Sequence, residues 1–215
     1  MTLFDVLRDV INQEPRGARI FGVVVGLVTN NQDPDGLGRV KVRFPWLSDV
    51  DESFWARLAA PMAGKQRGTY FLPEIDDEVL VAFEHGDVRF PYVLGALWNG
   101  QDVPPVTNGD GKNNIRVIKS RSGHVVKLND EDGKETIEIV DKSKKNSIVI
   151  DSANNTITVT TDKDITLSAA QGTIKLTAQN VEITSSNTTK LNSSGNMNVE
   201  AGGTMTVKGA TVNIN

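Results

Sequence analysis

The chain has 215 residues and a formal charge of −4, room for one large domain or two small ones. The absence of cysteine excludes a disulfide framework, a thiolate nucleophile and Cys-ligated zinc. Up to position 112 there are 11 basic against 16 acidic residues, and beyond it 12 against 11, so no basic patch suits a phosphate backbone and a nucleic-acid partner is not expected.

Residue types are distributed unevenly. All 12 aromatic residues lie between Phe4 and Trp98, and all 8 prolines between Pro15 and Pro105. The chain therefore reads as two modules joined through residues 102–112. The longest apolar run, Ile20 to Val28, falls far short of the roughly 18 residues that span a bilayer. Asp5, Arg8 and Asp9 interrupt the N-terminal apolar positions, unlike a signal peptide. A soluble chain is expected.

Leu3, Phe4, Leu7, Val10 and Ile11 fall at helical spacing, with Thr2 as N-cap and Pro15 beyond the end. Residues 1–19 thus read as a short amphipathic helix and lead-in. From Ile20 the pattern turns to strands. Gly22–Val28 is β-branched, and Gly38–Phe44 alternates polar and apolar residues, as a half-wet strand does. The stretch between them, Asn30 to Gly38, is dense in turn formers. Further strands read at Phe54–Ala60, Glu78–Glu84 and Arg89–Leu97. Short strands with frequent Gly and Pro predict a small barrel or sandwich over residues 20–101, and five strands suit an OB-type barrel. Trp46, Trp55, Tyr70, Tyr92 and Trp98 could stack on bases, but the acidic balance opposes that use, and core or inter-subunit packing is the expected role.

Residues 113–215 change character. From residue 151 onward, Thr and Asn make up 22 of 65 residues. Apolar pairs separated by one polar residue recur: Ile157 and Val159, Ile165 and Leu167, Ile174 and Leu176, Val181 and Ile183, Met197 and Val199, Met205 and Val207, Val212 and Ile214. Thr189-Lys190-Leu191 is a degenerate copy, and looser copies stand at Ile137/Ile139 and Ile148/Ile150. Successive copies start 7 to 9 residues apart, an octad β-repeat. Each octad supplies a strand too narrow to bury its own apolar pair. Two packings offer cover: one chain coiled as a solenoid, or three chains around a common axis, each forming one wall of a prism. Short length and missing caps favour the second, with all fourteen aliphatics as axis-packing residues.

Several segments resemble the VgrG spikes of type VI secretion and the phage baseplate assembly protein V. They include residues 22–46 (GVVVGLVTNNQDPDGLGRVKVRFPW), Trp55–Gly64, Gly68–Glu74, Asp77–Asp87, Pro91–Gly100 and Arg121–Leu128. The resemblance covers about residues 20–215. It implies an all-β protein: an OB-fold collar, then an intertwined three-stranded β-helix, in a homotrimeric central spike at the baseplate of a contractile tail or tail-derived particle. It implies mechanical piercing of a target envelope, with assembly in the bacterial cytoplasm. VgrG proteins begin with a large hub region; here the barrel starts near residue 20, so a separate hub protein is expected as partner. Tail tube and baseplate wedge proteins are further expected partners. Short phage spikes end in a His-X-His iron site, whereas this chain ends Val212-Asn213-Ile214-Asn215. That end is expected to dock a PAAR-type tip protein and to hold no iron.

No catalytic residue, cofactor site or metal site is expected. His85, within Glu84-His85-Gly86-Asp87, reads as a polar hairpin turn, and His124 as a strand histidine; on a three-fold axis it could bring three imidazoles together. Asp130-Glu131-Asp132-Gly133 lacks the downstream Glu of a calcium loop and reads as a turn, as Asp76-Asp77-Glu78 reads as a solvated loop edge. Gly36 and Gly38 precede a strand, which argues against a phosphate loop. Two histidines in different modules and no Gly-X-Ser-X-Gly argue against a hydrolase. The alternative from another class is a β-helical polysaccharide-degrading or receptor-binding tailspike. Sugar platforms need aromatics and paired acids, and the repeat region has no aromatic residue.

Overall fold

The computed structural model describes residues 19–214, so the short helix expected near the N-terminus lies outside the described residues. The chain divides into two units at Asp162/Lys163. No α-helix occurs among the described residues.

The first unit opens with a barrel. Its strands are Val23–Asn30 (β1), Lys41–Arg43 (β2), Arg57–Leu58 (β3), Glu78–Phe83 (β6) and Pro91–Ala96 (β7), with a small hairpin, Ala63–Gly64 (β4) and Arg67–Gly68 (β5), inserted after β3. The sheet order is β2-β1-β6-β7-β3. The β3–β7 pair is parallel and the others antiparallel. Isolated bridges Val40↔Ala56 and Arg43↔Glu52 tie the β2 side to the segment entering β3. The pairing therefore runs in a ring, which is consistent with the five-stranded Greek-key OB architecture.

The ring follows from alternation. In β6, Val79, Val81 and Phe83 point inward between half-exposed neighbours. They meet Val28, Val40, Val42, Phe44, Ala56 and Val93 in one core, with the Phe44 and Phe83 rings 5.7 Å apart. Gly26 is required on β1 beside the neighbouring strand β2: a Cβ there would stand 2.3 Å from Val42 Cγ1. The strand expected over Phe54–Ala60 is realised as Arg57–Leu58, with Ala56 in an isolated bridge to Val40. The Ser53 hydroxyl accepts from the Val42 amide at 3.0 Å while the Ser53 amide donates to the Val42 carbonyl at 2.7 Å. A side chain thus substitutes for one ladder carbonyl.

Beyond the barrel, five short strands form an antiparallel meander in sequence order: Ile115–Lys119 (β8), Val125–Asn129 (β9), Thr136–Val140 (β10), Ser147–Asp151 (β11) and Thr156–Thr160 (β12). Register fixes its faces. Ile137 sits between Leu128 and Ile150, and Ile139 between Val126 and Ile148. Ile157 and Val159 continue the row beside Ile150 and Ile148, and Ile118 joins beside Val126. One face is thus aliphatic. The other is mostly polar and carries the cross-strand Lys127–Glu138 ion pair at 2.9 Å.

The second unit, from Lys163 onward, contains no assigned strand among the described residues. Its backbone nevertheless has a period. Bends or turns fall at Lys163, Gln171, Gln179, Asn187, Gly195, Gly203 and Thr211, one every eight residues. The copy at Thr189-Lys190-Leu191 keeps this frame although it has lost one aliphatic. Ile174/Leu176 lies one residue late, after a turn in which the Gly172 amide donates to the Ala169 carbonyl at 3.3 Å.

Candidate assembly surface

The residues expected to pack on an axis share one property within the single chain: none is buried. Ile165 and Leu167 are 57% and 70% exposed, and Met205 and Val207 are 49% and 68%. The same holds for Ile174, Leu176, Val181, Ile183, Met197, Val199, Val212 and Ile214. In every pair from Ile157/Val159 to Val212/Ile214 both members face solvent. Ile157 and Val159 differ from the other twelve in lying on a paired strand, β12. Of the residues expected to dock a tip protein, Val212, Asn213 and Ile214 are exposed; Asn215 lies outside the described residues.

The meander adds a second apolar surface. Ile118, Val126, Leu128, Ile137, Ile139, Ile148 and Ile150 are 37–55% exposed and share the face of Ile157 and Val159. Sequence reading marked Ile137/Ile139 and Ile148/Ile150 as loose repeat copies. It missed Val126 and Leu128, although the alternation Val126-Lys127-Leu128 carries the signal. Burial of one such side chain contributes about 1.5–3 kcal/mol, and an exposed apolar face of this extent marks an interaction site. In the second unit the extended backbone lacks a strand partner as well, which leaves ladder donors and acceptors open.

The polar constellations fall into turns. His85 has φ 50° in the 3-10 turn Glu84–Gly86 that joins β6 to β7. There Asp87 holds Arg89 in an ion pair at 2.5 Å, and that guanidinium keeps the Asp87 carboxyl down at about 2. The Tyr92 hydroxyl donates to Glu84 at 2.5 Å, which pushes the Tyr92 phenol above its ordinary range. His124 stands at the start of β9, its Nδ1 accepting from the Lys142 amide at 3.3 Å. Asp130-Glu131-Asp132-Gly133 forms the β9–β10 turn, where Glu131 pairs with Lys134 at 2.8 Å. Asp76 and Asp77 lie in the loop before β6, and Asp77 accepts from the Glu74 amide at 2.8 Å. No cluster of three metal-ligating side chains occurs among the described residues.

The loop between β1 and β2 is the most tightly ordered polar feature. The Asp33 carboxylate, 3% exposed, accepts from the backbone amides of Asp35, Leu37 and Arg39 and from the Arg39 guanidinium at 2.7–3.2 Å. The guanidinium foremost, with the amides, holds Asp33 well below the usual carboxylate range. Arg39 and Lys41 both lie over the Trp55 ring, at 5.8 and 5.6 Å. Gly36 and Gly38 serve this loop, and what it binds is its own carboxylate. Trp55 carries cations of its own chain, so the aromatic nearest a basic strand is already engaged.

Comparison with known proteins agrees with this architecture. The family model for the type VI secretion system/phage-baseplate injector OB domain matches residues 24–98. The type VI secretion system spike protein VgrG3 of Vibrio cholerae is 37% identical over 82 residues, 36% of this chain and 8% of that protein. VgrG1a of Pseudomonas aeruginosa, also a type VI spike protein, is 37% identical over 87 residues, 39% of this chain and 14% of that protein. The actin cross-linking toxin VgrG1 of Vibrio cholerae is 39% identical over 77 residues, 34% of this chain and 7% of that protein. The chain thus corresponds to a small part of each of these relatives. Residues 24–98 match an injector OB domain, and over that domain the chain is similar to VgrG-type baseplate proteins.

Proposed function

We propose that this protein is the homotrimeric central spike of a contractile tail or tail-derived injection particle. The OB barrel serves as collar over residues 20–101, residues 102–112 as linker, and residues 113–215 as a three-chain β-prism needle. Its work is mechanical. Sheath contraction drives the assembled spike through a target envelope, and no step of covalent chemistry falls to this chain. Within the particle it stands at the baseplate on a separate hub protein, beside tail tube and wedge proteins. Its distal end, Val212 to Asn215, carries a PAAR-type tip protein.

The observation that carries this reading is the second unit. An extended chain that bends every eight residues, with no strand partner among the described residues and with aliphatic pairs 47–90% exposed, is incomplete alone. Three copies around an axis supply both missing parts: cover for the fourteen axis-packing aliphatics and ladder partners for the backbone. A prism closed in this way has no lateral edge and no hinge that opens without breaking contacts to two other chains. Light scattering on the full chain at micromolar concentration is expected to give the mass of three chains. A monomeric or dimeric mass overturns the proposal.

A further inference from the structure

The meander sheet has two ends of opposite charge. Strand register places Lys119, Val125, Val140, Ser147 and Thr160 at one end, and Ile115, Asn129, Thr136, Asp151 and Thr156 at the other. The first end, with its turns, carries Lys119, Arg121, Lys142, Lys144 and Lys145 against Asp141 and Asp162. The second carries Asp130, Glu131, Asp132, Glu135 and Asp151 against Lys134 and Arg116. Three net positive charges thus stand at one end of a five-stranded sheet and three net negative charges at the other.

Ion pairs within the chain do not remove this polarity. Arg121 pairs with Glu74 and Lys145 with Asp162, while Asp130 pairs with Arg116 and Glu131 with Lys134. At the basic end, Lys119, Lys142 and Lys144 keep no ion pair among the described residues, and Asp141 is held by the side chains of Ser143 and Asn146. At the acidic end, Asp132, Glu135 and Asp151 keep no ion pair, and Asp151 is held by Asn154. Between the two ends lies the exposed aliphatic face.

We infer that the occupant of this face is a second copy of the chain, docked head to tail, so that the basic end of one meander meets the acidic end of the next. The inference rests on the trimeric reading and deepens it by naming what sets the order of chains around the axis. A ring is built from heterologous contacts, in which one patch meets a different patch on the next copy. A sheet with like-charged ends would set like charges against each other at every corner of a three-walled prism. This sheet sets opposite charges there. The apolar face supplies affinity without direction, and the corners supply direction, because opposite charge at close range selects the partner surface. Free charges farther apart than about 10 Å are screened at 0.1 M salt, so only ends in contact feel one another.

The test uses full-length chains and reads mass by light scattering across a dilution series at about 0.05 M and 0.5 M salt. Two variants each reverse one end: Lys119→Glu with Lys142→Glu, and Asp132→Lys with Glu135→Lys. Each is expected to dissociate at about tenfold or more higher concentration than wild type at low salt, and the difference is expected to shrink at high salt. Recovery at high salt shows that the variant still folds. The chain carrying all four substitutions again has ends of opposite sign, one net charge each instead of three, and is expected to recover in part, dissociating at a lower concentration than either single-end variant. Single-end variants that stay trimeric with wild-type salt dependence overturn the head-to-tail corners while leaving the trimer intact. Failure of the four-fold variant to recover overturns charge pairing as the cause. A wild-type chain that is not trimeric overturns the underlying proposal instead.

Discussion

The barrel and the second unit are built from the same kinds of aliphatic residue and treat them in opposite ways. In the barrel, Val28, Val40, Val42, Val79 and Val81 are fully buried, because a sheet that pairs in a ring turns every second side chain into one enclosed space. In the second unit Val199, Val207 and Leu176 are 66–70% exposed, because an extended chain that never meets itself encloses nothing. The barrel encloses a core of its own, although Phe21, Leu37, Tyr70 and Phe71 stay exposed on it. The repeat unit leaves its aliphatic pairs uncovered. The meander stands between these cases, paired within itself on its edges yet open on one face.

The comparison breaks most readily at the repeat. Val207→Asp, or Val199→Asp, is expected to abolish assembly, since three carboxylates would meet unpaired near an axis. Light scattering checks it, and wild-type mass in either variant means the inward face is wrongly assigned. The barrel should survive that change, so its thermal unfolding step is expected to persist in the monomeric variant.

Changes inside the barrel should do the converse. Gly26→Ala forces a Cβ into Val42 and against the Arg43 carbonyl. It is expected to destabilise the barrel by about 1–3 kcal/mol, as overpacking does, measured by denaturant unfolding of the barrel signal. Val81→Ala leaves a cavity in the core and is expected to lower stability by about 1–3 kcal/mol. Neither should alter the repeat's own packing.

Smaller effects sharpen the polar side of the comparison. Asp33→Asn removes the charge that gathers the Arg39 guanidinium and the amides of Asp35, Leu37 and Arg39. Faster hydrogen exchange at those amides is expected, with the barrel core protected as before. Unchanged exchange would mean that the turn holds without its carboxylate. For Asp87 the folded pKa is about 2, below an unfolded value of about 3.9. Its contribution is therefore fully present above pH 4 and is lost as pH falls from about 4 to 2. Asp87→Asn is expected to flatten barrel stability across that window only.

Much of this was legible in the residues. The β1 strand followed from its β-branched run, β2 from period-two alternation, β6 and β7 from short strand segments set off by Gly and Pro, and the turn between β1 and β2 from its run of Asn, Asp and Gly. The octad followed from spacing alone, even across the degenerate Thr189-Lys190-Leu191, because an extended segment presents alternate side chains to one side whatever its partner. What escaped was anything that depends on which strand lies beside which. The third barrel strand is a case: Ala56 bridges Val40 on the β2 side, whereas Arg57 and Leu58 pair with β7.

The uneven distribution of residues has a physical cause in the same terms. Phe44 and Phe83 fill the barrel core and its prolines serve sharp turns, whereas Phe21, Trp46, Tyr70 and Trp98 stand exposed on it and fill no core. A narrow repeat of short extended segments accommodates small aliphatics and has no use for a residue that lacks a ladder donor. The sequence by itself determined local period, chain direction changes and which side chains seek cover, since these depend on near neighbours and on each residue's own chemistry. Only tertiary structure decided the ring of barrel pairings, the gathering of Ile118 through Val159 on one face, and the separation of charge between the two ends of the meander. These rest on register between strands, and register is a property of pairs.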